Sequence, residues 1–156
     1  MKKSLILIII FLFLFLGFYS IQELGLTSKS TYDSGRTLVH VTKVIDGDTF
    51  VIDNGDKVRL LCINTPEKDE FYYEEATENL KKLILNKEVI IESDITKKDN
   101  YGRLLRYVYT DSFINEKIVL DGYAKILVIA PNSKKCSSVI EAEKIAKEKK
   151  IGLWKN

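Results

Sequence analysis

Two aspartates flank a single glycine in Ile45-Asp46-Gly47-Asp48-Thr49, at the end of the alternating run over residues 38–45. Asp-Gly is a common turn pair, because glycine tolerates φ > 0 and aspartate hydrogen-bonds its own backbone. The stretch therefore reads first as a bend, and second as a place where carboxylates gather around a metal. Two more polar patches follow: Arg59 with Asn64-Thr65-Pro66-Glu67, and Asp99-Asn100-Tyr101-Gly102-Arg103. The chain has four arginines, and Arg59 and Arg103 fall in these patches. Arginine is the cation suited to two-pronged contacts with phosphate. Oxygen ligands without sulfur or histidine suit Ca²⁺ or Mg²⁺. A hard metal and two arginines can neutralise charge developing on phosphoryl oxygens, and a glutamate can take a proton from water. Together these are the groups needed to attack a phosphodiester. The same residues also admit structural roles, with Arg59 paired to an acid and Glu67 capping a helix after Pro66.

Other chemistries are excluded more firmly. His40 is the sole histidine and lies in a strand-like run, so mechanisms needing two histidines are out. No G-x-S-x-G elbow, P-loop or G-x-G-x-x-G is present. Asp46–Val51 fails as an EF-hand loop, since Phe50 and Val51 occupy a ligand position and the glycine position. The two cysteines, Cys62 and Cys136, cannot form a zinc cluster. Cys62 reads as a small core residue and Cys136 as a loop residue, and their spacing leaves open whether they are bonded.

Elements that would position these patches can be read from the periodicity. Residues 38–44, 49–53 and 58–63 read as strands, the last two joined by an Asn54-Gly55 hairpin turn in which both residues accept φ > 0. Pro66 ends the third strand. Ala76, Leu80, Leu83 and Ile84 follow a helical period, which predicts a helix over residues 73–85. Strands are expected over 88–93 and 104–109, separated by a polar loop. Ile114 and Ile118 support a short helix that Gly122 ends. Ser138-Val139-Ile140-Glu141 reads as a capping box opening the last helix, Gly152 stops it, and Trp154 folds back on the body. This order predicts an α+β fold: a five-stranded OB-fold Greek-key barrel with three packed helices.

Ahead of it, Lys2 and Lys3 precede an unbroken apolar run over residues 5–19. That pattern predicts an export leader over residues 1–21, either a signal peptide or a membrane anchor using residues 4–21. Residues 22–36 read as a polar tether, and 37–156 as the folded domain. Beyond residue 21 the chain carries 22 acidic and 22 basic residues. Nonspecific nucleic-acid coats are strongly basic, so contact with phosphates rests on a few placed cations or a metal.

The series Val44-Ile45-Asp46-Gly47-Asp48-Thr49, Arg59-Leu60-Leu61, Thr65-Pro66-Glu67, Asp99 and Tyr101-Gly102-Arg103 resembles the staphylococcal nuclease (thermonuclease) family. Gly122-Tyr123-Ala124-Lys125, Pro131-Asn132 and Trp154 continue the likeness. The resemblance implies an OB-fold and a Ca²⁺-dependent phosphodiesterase acting on DNA and RNA, with 3′-phosphate products. It implies Asp48, Asn64 and the Thr65 carbonyl as metal ligands, with Asp46 supporting them from behind. It implies Glu67 as general base and Arg59 and Arg103 as the phosphate-holding pair, with Tyr101 beside the base. In this reading Gly47 makes the bend and Asp48 faces the metal. Two departures stand out. Asn64 replaces the aspartate of most relatives, and an aliphatic run, residues 126–130, replaces tyrosines before Pro-Asn. Weaker binding of small nucleotides is expected from the second. A monomer is expected, secreted or anchored to the outer face of the cytoplasmic membrane. The competing readings are a catalytically inactive OB-fold module that binds nucleic acid at the cell surface, and a structural envelope protein.

Overall fold

The computed structural model describes residues 35–155. The predicted leader over 1–21, and all of the predicted tether except residues 35 and 36, lie outside the described residues. No helix among the described residues is long and apolar enough to cross a membrane.

Five strands close into a barrel in the order β1 (Arg36–Val44), β2 (Thr49–Ile52), β3 (Lys57–Leu60), β6 (Leu104–Tyr109), β5 (Glu88–Lys98), and back to β1. The β3–β6 pair is parallel and the other pairs are antiparallel. Val41, Phe50, Val58, Leu60, Val89 and Val108 point inward and are buried. Each such side chain contributes about 1.5–3 kcal/mol by leaving water. The β2–β3 turn does contain Asn54-Gly55, but only Gly55 takes the left-handed conformation (φ 85°). Asn54 instead accepts the Asp56 N–H on its side-chain oxygen (2.9 Å).

The third predicted strand does not run through. β3 stops at Leu60, and Cys62 turns the chain at φ 65°. The next two residues, Ile63–Asn64, form β4, which leaves the barrel to pair with β7 (Lys125–Ile126). The corner is fixed from three sides. The Leu61 N–H donates to the Arg106 carbonyl (2.9 Å), the Cys62 carbonyl accepts the Leu127 N–H (3.0 Å), and Cys62 is disulfide-bonded to Cys136. Strand β5 extends to Lys98, past its expected end at 93, because Asn132 pairs with both backbone groups of Thr96 (2.8 and 2.9 Å).

Three helices pack on the barrel: α1 (Tyr73–Ile84), α2 (Ile114–Leu120) and α3 (Cys136–Glu148). They bury Ala76, Leu80 and Ile84, then Ile114, Ile118 and Val119, then Val139, Ala142 and Ala146. Cys136 is thus the first residue of α3 and not a loop residue. The capping box is not formed either. Ser138 lies inside α3, donating to the Lys135 carbonyl (3.5 Å), and no side chain caps the helix. The disulfide holds the helix start two residues upstream of the sequence signal. Gly122 (φ 77°) follows α2, and its backbone packs so closely on Gly152 that a Cβ on either would collide with the other. Trp154 is half-buried at that end, with the Lys147 ammonium 4.5 Å above its ring.

Candidate active site

The 46–48 bend sits at the mouth between β1 and β2, against the β4 end of the corner. Gly47 is needed there for proximity, not for a left-handed φ, contrary to the turn argument. A Cβ on it would meet the Thr65 side chain at 2.8 Å and the Ala76 Cβ at 2.9 Å. Its absence lets the bend press onto Thr65. Asp48 is consequently buried and fully bonded. One carboxylate oxygen accepts the Thr49 hydroxyl (3.0 Å) and pairs with Arg59 Nε (3.0 Å). The other accepts the Thr65 N–H (3.0 Å) and the Thr65 hydroxyl (3.1 Å). Asp46 accepts the Asp48 N–H (3.1 Å). Burial, and then the negative charge of Asp48, push the Asp46 carboxyl above its ordinary pKa.

Arg59 ties these pieces together. Its Nη1 donates to the Leu60 and Ile63 carbonyls (2.6 and 2.9 Å), and its Nη2 to Asn64 Oδ1 (3.0 Å). Burial pushes its pKa down, against the pull of Asp48. The structural pairing that the sequence left open for Arg59 is therefore present, and its partner is Asp48.

Arg103 is held differently. Asp99 accepts the Tyr101 and Arg103 N–H groups (2.9 Å each) and takes Arg103 Nε on its second oxygen (2.7 Å). Burial would raise the Asp99 pKa, but the Arg103 bonds outweigh it and hold the carboxyl below its usual range. Gly102 (φ 79°) makes this turn, and the guanidinium lies 5.5 Å from the ring of the exposed Tyr101. Glu67 is exposed and caps no helix, since α1 begins at Tyr73. Its own N–H is taken by Glu70 (2.7 Å), while its carboxylate has no hydrogen bond or ion pair among the described residues.

Every residue singled out from the sequence lines one cavity of about 480 Å³: Asp46, Asp48, Arg59, Asn64, Thr65, Glu67, Asp99, Tyr101 and Arg103. Strand ends that are distant in sequence meet there because β3 and β6 lie side by side. Sequence reasoning missed Thr49 and the Thr65 hydroxyl as clamps on Asp48. Its one available signal was threonine recurring beside both acidic patches. Leu105, Leu127 and Ile129 form an apolar side of the cavity.

Comparison with known proteins decides the family. The model of the staphylococcal nuclease homologues matches residues 57–156, from β3 onward. The chain belongs to the staphylococcal nuclease family. Within it, the chain is similar to the thermonuclease of Staphylococcus intermedius, 33% identical over 159 residues that cover 96% of this chain and 95% of the relative. It is similar to the thermonuclease of Staphylococcus hyicus, 34% identical over 74% of this chain and 75% of that one. It is also similar to endonuclease YncB of Bacillus subtilis (strain 168), 37% identical over 76% of this chain and 63% of that protein.

For a staphylococcal nuclease homologue, the donor set suits a hard cation. Asp48 would supply carboxylate oxygens, Asn64 an amide oxygen and Thr65 a carbonyl, with Asp46 a second carboxylate close behind. Such all-oxygen sets fit Ca²⁺. Asp48 and Asn64 already turn oxygens onto one shared cation, the Arg59 guanidinium, at 3.0 Å each. Among the described residues no group of three or more His, Cys, Asp or Glu side chains is arranged to hold a metal ion, so backbone and amide oxygens would have to complete a site here.

Proposed function

We propose that this nuclease is an exported, Ca²⁺-dependent phosphodiesterase acting on DNA and RNA. The observation that carries the reading is the one cavity lined by Arg59, Arg103 and Glu67, whose carboxylate has no hydrogen bond or ion pair among the described residues. Glu67 takes a proton from the attacking water, as a general base must have a free carboxylate oxygen. Arg103 spends only Nε on Asp99, so its two terminal nitrogens can grip the phosphate as a fork. Arg59 has its terminal nitrogens on Leu60, Ile63 and Asn64, so it reaches the phosphate by exchanging one of these partners. Both charges then oppose the negative charge growing on the phosphoryl oxygens. Asp48, Asn64 and the Thr65 carbonyl would hold Ca²⁺, with Asp46 bracing Asp48; the ion supplies further charge neutralisation when bound. Cleavage of the bond to the 5′ oxygen leaves 3′-phosphate ends. Tyr101 stands beside the base.

Export rests on the leader over residues 1–21, a signal peptide or anchor followed by the tether over 22–36 and the monomeric domain over 37–156. The Cys62–Cys136 bond supports it, because disulfides persist in oxidising compartments. The test is hydrolysis of long single-stranded DNA and RNA with Ca²⁺ or with chelator, with end-group analysis. Ca²⁺-dependent cleavage to 3′-phosphates supports the proposal. Binding without cleavage at any Ca²⁺ concentration would sink it in favour of an inactive binding module.

A further inference from the structure

A second cavity, of about 400 Å³, lies next to the first and shares Asn64, Thr65 and Pro66 with it as walls. Its volume is within the range of roughly 300–1,000 Å³ usual for small-ligand sites. Glu70, Phe71, Lys125, Leu153 and Trp154 complete its lining. Phe71 is 70% exposed, and its one ring neighbour among the described residues is Tyr72, at 5.3 Å. A phenylalanine so placed contributes little to the core. Lys125 is exposed, its ammonium 5.8 Å from the Trp154 ring, with no acidic partner among the described residues. Glu70 also borders the cavity, but its carboxylate is turned onto the Glu67 N–H. An exposed ring beside a cation, in a cavity adjoining the proposed phosphate site, is the kind of feature that holds a base of a single strand.

We propose that this second cavity is a nucleotide subsite. It takes the base of the nucleotide next to the scissile phosphate in a single strand, stacked on Phe71, with Lys125 facing the backbone phosphate. The inference rests on the nuclease reading, since the Thr65–Pro66 ridge is then the place where a strand crosses from one cavity to the other. It also explains the placement of an aromatic and a free cation on this face. Tyr101 in the first cavity and Phe71 in the second give rings to two different bases.

Trp154 is the only tryptophan in the chain, so its fluorescence reports this cavity alone. The experiment titrates the full chain, in chelator, with a short single-stranded oligothymidylate. Saturable quenching is expected. Base–aromatic stacking energies predict a dissociation constant about 5- to 150-fold weaker for Phe71→Ala. Lys125→Gln should weaken binding and flatten its salt dependence, with the thermal melt of both variants unchanged. If the oligonucleotide binds by anisotropy, Trp154 emission is unmoved and Phe71→Ala binds like the parent, the subsite is overturned while the nuclease reading stands. If quenching and the Phe71 effect are present but no substrate is cut with Ca²⁺, the catalytic reading fails and the subsite stands.

Discussion

At the residue scale, the two arginines are unequal. The terminal nitrogens of Arg103 have no hydrogen-bond partner among the described residues, whereas Arg59 is built into the bend that also holds Asp48 and Asn64. Arg103→Lys and Glu67→Gln are therefore expected to lower turnover by about 10²-fold or more while the circular-dichroism melt is unchanged. Arg59→Lys is expected to lower both turnover and melting temperature, because it strands buried carbonyls and Asp48. Steady-state kinetics paired with melts on the three variants separates these outcomes. Asn64 gives a second prediction. Its amide nitrogen donates to the Thr65 carbonyl at 3.3 Å, so it both lacks a charge and occupies an oxygen proposed as a ligand. Asn64→Asp adds a negative charge and frees that carbonyl. The Ca²⁺ concentration for half-maximal activity is expected to fall about tenfold, which corresponds to roughly 1.4 kcal/mol. A Ca²⁺ titration showing no shift would remove Asn64 from the metal site.

At the element scale, the decisive feature is the corner between β3 and β4, which turns Asn64 and Thr65 toward the 46–48 bend. Asn115 holds it from α2. Fully buried, it accepts the Val108 N–H (2.9 Å) and donates to the Leu61 (2.9 Å) and Arg106 (3.3 Å) carbonyls. Removing it leaves the buried Val108 N–H and Leu61 carbonyl each short of a partner, while the Arg106 carbonyl keeps the Leu61 N–H. Asn115→Ala is expected to destabilise the domain by about 2–4 kcal/mol in urea unfolding, with activity lost in step. The disulfide holds the same corner from α3, across 74 residues of chain. Loop-closure entropy over that length predicts a loss of up to about 4 kcal/mol on reduction. Urea midpoints with and without reductant give that difference directly.

At the scale of the whole molecule, residues 22–156 carry equal numbers of acidic and basic residues, and one cluster of ion pairs ties separate elements together. Glu92 is buried yet surrounded by Arg36 (2.9 Å), Lys134 (3.1 Å) and Lys135 (3.8 Å), joining β1 and β5 to the segment before α3. Burial raises its pKa, but the bond from Arg36 and those cations more than reverse this, and the carboxyl titrates below its ordinary value. Asp94, similarly opposed by burial, is depressed by the Tyr107 hydroxyl and the Lys134 N–H, and Asp99 by Arg103. Acids with depressed folded pKa values contribute fully above their unfolded values of about 4, and that stability is lost as pH falls through the folded values. The melting temperature is thus expected to be flat on the neutral side and to fall steeply below about pH 4. Glu92→Gln should lower the neutral plateau and make the acid fall shallower. An unchanged acid limb in thermal melts would show that Glu92 is not among the linked groups.

The sequence by itself determined the alternating strands, the amphipathic stripes of α1 and α2, and the residue types of the site. Periodicity is a local property, and carboxylate, guanidinium and proline chemistry travels with each residue. It also located the three polar patches, because turns between strands are marked by glycine, proline and aspartate. What it could not supply was the closing of distance. Only the parallel pairing of β3 with β6 brings Arg59 and Arg103 to one cavity, and that pairing joins residues 46 apart. The break at Cys62 was hidden because Arg59-Leu60-Leu61-Cys62-Ile63 is apolar enough to be one strand; a left-handed cysteine and a bond to Cys136 decided otherwise. The same bond moved the start of α3 past its local capping signal. Gly47 is necessary, but not for its conformational freedom. Its need arises from contact with Thr65 and Ala76, which only a packed structure brings within 3 Å.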